Sequence, residues 1–109
     1  MPQIKGHELK DALSLLKKNG INCELVTLNC DELRNSQSKV DKAKVLNIAR
    51  EIRQGKNIPP IIISNDNAVI DGHHRWIAFK LLKKEIKCIK IGLPQKEAII
   101  EFKRIEGQL

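Results

Sequence analysis

The chain has no tyrosine, one tryptophan and two phenylalanines. A core built from it must be aliphatic, and one tryptophan is thin support for base stacking as the main mode of binding. Its three cysteines, Cys23, Cys30 and Cys88, form no C-x-x-C pair, which excludes a zinc knuckle and a thioredoxin-like site. Their expected role is that of small buried hydrophobes. No apolar run reaches membrane-spanning length and no leader pattern is present, so a reducing cytoplasm is the expected compartment. Repeats, low-complexity stretches, linkers and long charge runs are also missing. Acid is scarce too: 13 Asp and Glu stand against 20 Lys and Arg, a formal charge of +7. That balance favours anionic partners such as nucleic acid, nucleotide phosphates or an acidic protein, although a solvated lysine-rich surface accounts for the same number.

What is there reads as one small domain of 109 residues with 41% apolar content, enough for a real but modest core. Leu9, Ala12, Leu13 and Leu16 follow helical spacing, and Gly20 is a good stop, so the pattern predicts a helix over about 7–19. Cys23 to Leu28 carries β-formers and predicts a strand. After the polar stretch Asn29 to Ser38, Ser38 is expected to cap a helix over about 39–54, with Asp41 three residues on and Val45, Ile48, Ala49 and Ile52 as its apolar face. Pro59 and Pro60 open an extended element. Ile61 to Ile63, the turn residues Ser64 to Asn67, and Ala68 to Ile70 read as a tight hairpin. A helix over about 73–83, a strand around Ile86 to Ile89 and a last helix whose first turn contains Pro94 complete the chain. The order α-β-α-β-β-α-β-α predicts an α+β domain. It divides into an N-terminal helical extension (1–22), a core (23–91) and a C-terminal helix (92–109).

The densest chemistry is Val69 to Trp76, "VIDGHHRW", at a strand-to-helix junction. Early helix amides lack intrahelical partners and sit at the positive end of the dipole. A glycine there lets a ligand approach the backbone, and such ends bind phosphate. Arg75 is placed to reach the same anion. Asp71 can cap the helix, orient a histidine or hold a cation near phosphate. Adjacent residues on a helix point about 100° apart, so His73 and His74 do not make a shared zinc site. One is expected to face the site and donate to phosphate or move a proton, and the other to pack inward. The plain alternative is that Asp71 only caps, the histidines are structural and Trp76 is core.

These residues and three further stretches carry a resemblance. "VTLNCDELRNSQ", "KVLNIAREIRQGKNIPPIIIS", "NDNAVIDGHHRWIAFKLL" and "IKCIKI" resemble the first strand and turn, the helix and proline-led strand, the hairpin with motif and helix, and the closing strand of the ParB/sulfiredoxin superfamily. This is the group often labelled ParB-like nuclease domains. Ser36-Gln37, Lys44-Val45 and the "DGHHRW" version resemble a subgroup common in phage and mobile-element proteins. The resemblance implies a small mixed sheet in which a β-hairpin leads into a helix, flanked by helices. It also implies a phosphate or nucleotide pocket of Asp71, Gly72, His73, His74 and Arg75, approached by Ser36, Gln37 and Lys44. Sulfiredoxins carry a reactive cysteine directly after the glycine; here His73 stands there, which disfavours reductase chemistry. Partition ParB proteins have an acidic residue and an arginine between this glycine and arginine. They add a helix-turn-helix DNA-reading domain, which the stretch after the closing strand is expected to be too short to hold. Free-serine kinases of the superfamily carry a similar motif with a glutamate base near the first turn, where Gln37 stands; an amide is no general base.

Three function classes remain. In the first, a nuclease or NTPase type of phosphoester enzyme uses His73, His74 and Asp71 catalytically, with Asp71 orienting a histidine or helping to hold Mg²⁺. In the second, an ATP- or ADP-dependent phosphotransferase acts on a small-molecule or protein hydroxyl. In the third, a non-enzymatic factor binds DNA or a host protein through basic faces such as Lys83-Lys84 or Lys42 and Lys44. ATP or CTP is the expected nucleotide, no membrane partner is expected, and residues 1–22 are expected to cover a sheet edge or form a homodimer contact.

Overall fold

Ile61, Ile62 and Ile63 are each at most 1% exposed, so the strand they form has protein on both faces. The computed structural model describes residues 6–35 and 39–107, without the side chains of residues 6–10 and 12. Its elements run α1 (Gly6–Lys18), β1 (Cys23–Leu28), a 3₁₀ turn (Cys30–Glu32), α2 (Lys42–Arg53), β2 (Ile61–Ile63), β3 (Val69–Asp71), α3 (His73–Leu81), β4 (Ile86–Ile91) and α4 (Gln95–Glu106). The strands form one sheet in the order β1-β4-β2-β3. β1 and β4 are antiparallel, β4 and β2 parallel, and β2 and β3 antiparallel. The predicted α+β class and the hairpin leading into a helix hold.

Strand alternation sorts the core into two faces. Ile62, Ile70, Ile89 and Ile91 pack with Leu16, Ala98, Phe102 and Ile105 of α1 and α4. Ile61, Ile63, Val69, Ile86 and Cys88 point the other way, towards Trp76, Cys30 and Leu33. On that side α3 is itself covered by α2 through Ala78, Val45, Ala49 and Ile52. The core is aliphatic as composition required, and Cys30 and Cys88 are buried within it. The pairings Leu28 with Ile86, Ile61 with Cys88 and Ile62 with Asp71 bring the end of β1, the starts of β4 and β2 and the end of β3 to one end of the sheet. α3 departs from that end, so whatever its first turn carries lies at the sheet's rim.

Several expectations shift. α2 begins at Lys42 rather than near residue 39, because Asp41 is its N-cap and accepts from the amides of Ala43 and Lys44. Ser38, the cap expected from the sequence, lies outside the described residues. α3 stops at Leu81, two residues early, because Lys83 turns to φ +55°. Pro94 is the N-cap residue of α4, just before its first turn. The polar stretch after β1 hides a capping box: Asn29 accepts from the Asp31 amide, and the Glu32 carboxylate accepts from the Asn29 amide at 2.9 Å.

Candidate functional site

β3 ends at Asp71, and the chain must turn sharply to start α3. Gly72 makes that turn at φ +95°, ψ +32°, as the N-cap of α3. This region strains any residue with a Cβ. Space also demands glycine: a Cβ here would meet Ile61 Cγ2 at 2.6 Å and Arg75 Nη2 at 2.9 Å. The glycine admits a guanidinium, folded back from one turn along the helix.

That guanidinium is buried. Arg75 Nη2 donates to Asp71 Oδ2 at 3.2 Å, with side-chain exposures of 5% and 4%. Its Nη1 donates to the carbonyls of Pro59 at 3.1 Å and Pro60 at 3.3 Å. Among the described residues, Arg75 Nε has no hydrogen-bond partner. Burial pulls the Arg75 pKa down, and the charge and hydrogen bond of Asp71 pull it back up. Of the buried polar or charged residues described, Ser64, Asp71, His73 and Arg75, three come from the motif. Burying this much charge costs several kcal/mol unless each group is partnered, so the site is a built one.

The two histidines part company. His73 is 4% exposed. Burial first, and the neighbouring His74 second, push its pKa down to about 4, so it is neutral at physiological pH. His74 is half-buried, and its Nε2 accepts from the backbone amide of Asp41 at 3.1 Å. A ring nitrogen that accepts carries no proton, so His74 holds its proton on Nδ1. Asp41 also caps α2 through Ala43 and Lys44, whose amides lie 3.0 and 3.4 Å from its Oδ1. The motif is thereby joined to the first turn of α2, and the backbone of Lys44 is brought near it. Trp76 turns inward and donates from Nε1 to the Cys30 carbonyl at 3.1 Å, with Lys80 Nζ 5.2 Å from its ring centre.

Asp71, Gly72, His73 and Arg75 thus come together as one cluster, with His74 linking it to Lys44 through Asp41. Ser36 and Gln37 lie outside the described residues. Asp71 does not cap α3: Gly72 holds the N-cap position, and the Asp71 carboxylate is drawn to Arg75. Arg75 is not poised as an open phosphate donor, since Asp71, Pro59 and Pro60 hold it beneath the turn. Three contributors escape a reading of the motif alone. The carbonyls of Pro59 and Pro60 carry no signal of their function. Asp41 is legible as a capping-box residue of α2, but not as its cap or as a partner of His74. Glu106 ends α4 close behind Ile105, which shares a cluster with Ile70. Its carboxyl is pushed up by burial first and by the Asp71 charge second.

Two outcomes follow. Gly72→Ala should lose about 3 kcal/mol or more in urea denaturation, combining left-handed strain with overpacking. His73 has a depressed pKa, so the unfolded chain takes up a proton in acid before the folded one does. Stability is therefore complete above pH 6.5 and is lost as pH falls towards about 4. The loss should exceed that of His73→Gln, measured in the same denaturation series, by on the order of 2 kcal/mol.

No curated protein matches the chain. Among solved structures, a Pnob8-like ParB-N domain superposes with a TM-score of 0.62 at 20% identity, over 78% of this chain and 36% of that one. Sulfiredoxin from Arabidopsis thaliana gives 0.57 at 24% identity, over 72% of this chain and 96% of that one. The C-terminally truncated chromosome-partitioning protein ParB from Caulobacter crescentus, complexed with CTP-gamma-S, gives 0.61 at 15% identity, over 77% and 52%. The present chain matches only about a third of the Pnob8-like chain and about half of the Caulobacter one. At such identities the likeness establishes the fold. The ParB N-terminal domain family itself matches residues 14–106, a wider span than the motifs alone carry, and the chain belongs to that family.

Proposed function

We propose that the domain binds a nucleotide by its phosphates at the first turn of α3. The observation that carries this reading is Gly72. It is the N-cap of α3 yet offers no side chain to the early amides, while the neighbouring carboxylate is tied to Arg75. An N-terminal turn of this kind suits an oxyanion. In this reading Gly72 and the α3 backbone cradle phosphate, and neutral His73 hydrogen-bonds to it. Lys44 supplies charge from α2, Ser36 and Gln37 approach from the segment before α2, and Arg75 and Asp71 hold the turn in shape. The Caulobacter ParB of the same fold is complexed with CTP-gamma-S, which makes CTP the first nucleotide to try.

Binding is favoured over hydrolysis or phosphotransfer. A general acid–base group works best with a pKa near the working pH, and His73 sits near 4. His74 already accepts from Asp41. Asp71 is buried and paired with Arg75, which suits it to brace the turn rather than to hold Mg²⁺. Nuclease or NTPase action, and kinship with the phage and mobile-element subgroup, remain finer proposals on the same site.

Calorimetric titration with CTP, ATP and GTP, with and without Mg²⁺, tests it. Saturable binding is expected, with Lys44→Gln weakening it about fivefold and leaving the melting temperature unchanged. A nucleotide at about 100 times its Kd should raise stability by about 2.7 kcal/mol. Neither heat nor stabilisation at about 5 mM of each nucleotide, a level that would still register a millimolar Kd, would overturn the reading.

A further inference from the structure

Lys83 and Lys84, a basic face in the sequence, lie at the turn between α3 and β4, at the opposite end of α3 from Gly72. Two clefts of about 220 Å³ and about 390 Å³ flank that turn, and Lys84 and Glu85 line both. The smaller has an apolar floor that includes Ile58, Pro59, Phe79 and Ile86. Phe79 is half-buried and lines the smaller cleft. Lys56, Lys84 and Lys87 stand around this floor, and the larger cleft adds Lys80 and Lys83. The five lysines are all exposed. Only Glu85 and Asp31 oppose them within the two clefts.

The helix dipole accounts for part of this charge, since cations are favoured at a helix C-terminus. The C-terminus of α2 favours Lys56 in the same way, but neither helix end accounts for Lys87, which lies in β4. Nor does either explain why cations from three separate segments surround an apolar floor with an aromatic ring in it. A single inorganic anion would need one such lysine group, not two adjoining ones. An extended polyanion with flat apolar units between its charges matches both features. A cleft of about 220 Å³ has room for a base but not for a duplex.

We propose that the lysine-lined double cleft at the α3–β4 turn binds single-stranded nucleic acid. The backbone runs along Lys56, Lys87, Lys84, Lys83 and Lys80, and a base rests on Phe79 and Pro59. Of these residues only Pro59 also braces the proposed nucleotide site, and none of the variants that test the cleft alters it, so the two readings are tested separately. Pro59 connects them physically: it lines the cleft, and its carbonyl accepts from Arg75 at 3.1 Å.

The test is fluorescence anisotropy with a labelled oligonucleotide of about 12 nucleotides, read between about 50 and 200 mM salt. The triple variant Lys56→Gln, Lys84→Gln, Lys87→Gln should bind at least about tenfold more weakly. The slope of log affinity against log salt should fall by about 2, at about 0.7 per lost phosphate contact on a single strand. A charge-matched control, Lys17→Gln, Lys96→Gln, Lys103→Gln on α1 and α4, should stay within about twofold of the native chain, because those helices cover the other face of the sheet. Phe79→Leu keeps the floor apolar and should still weaken binding about fivefold or more by removing the stacked ring. Circular dichroism melting of each variant verifies folding. Equal weakening by the two triple variants, a duplex bound as tightly as the single strand, or no binding by the native chain would each overturn the proposal.

Discussion

The buried pair of Asp71 and Arg75 is the constraint on which the rest of this end of the molecule depends. Two opposite charges at 5% exposure or less are stable only because each is partnered, and removing one would leave the other stranded in an apolar setting. Their geometry dictates the neighbours. The guanidinium lies under the chain between β3 and α3, so residue 72 can carry no Cβ. It reaches the carbonyls of Pro59 and Pro60, so the entry to β2 is tied to the exit from β3. Proline suits that entry, because its carbonyl accepts from the guanidinium and it has no amide to be satisfied.

From this pair the site is held in three directions. Trp76 ties α3 to the 3₁₀ turn after β1 through the Cys30 carbonyl. His74 ties it to the first turn of α2 through the Asp41 amide. Arg75 ties it to β2. A first turn braced in this way keeps its backbone amides in fixed positions, which suits electrostatic recognition of an anion. The histidines divide the labour: His74 positions α2, while His73 stays buried and neutral beside the turn.

Much of this was legible in the sequence, for identifiable reasons. The helices and strands follow apolar periodicity, and their order was right because each face of the sheet buries a regular set of residues. The strand-to-helix placement of "DGHHRW" was legible because Asp-Gly interrupts a β-branched run. Roles within the motif were less so. Asp71 has the ideal side chain for a cap, yet a nearby guanidinium competes for it, and that competition depends on the left-handed turn at Gly72. Arg75 reads as an open phosphate donor until Pro59 and Pro60, distant in sequence, are seen to hold it. The sequence pattern sets the cap of α2 three residues early, at Ser38, with Asp41 inside the helix as its capping-box partner; the Ala43 and Lys44 amides make Asp41 the cap itself.

A double-mutant cycle between Asp71 and Arg75 tests the central claim most directly. Urea denaturation of Asp71→Ala, Arg75→Met and the double variant gives the interaction energy of the pair. Each single change is predicted to cost about 3–5 kcal/mol, with the double variant costing well below their sum. Single losses that simply add, within about 0.5 kcal/mol, would contradict the account, because the two side chains would then not act as one unit.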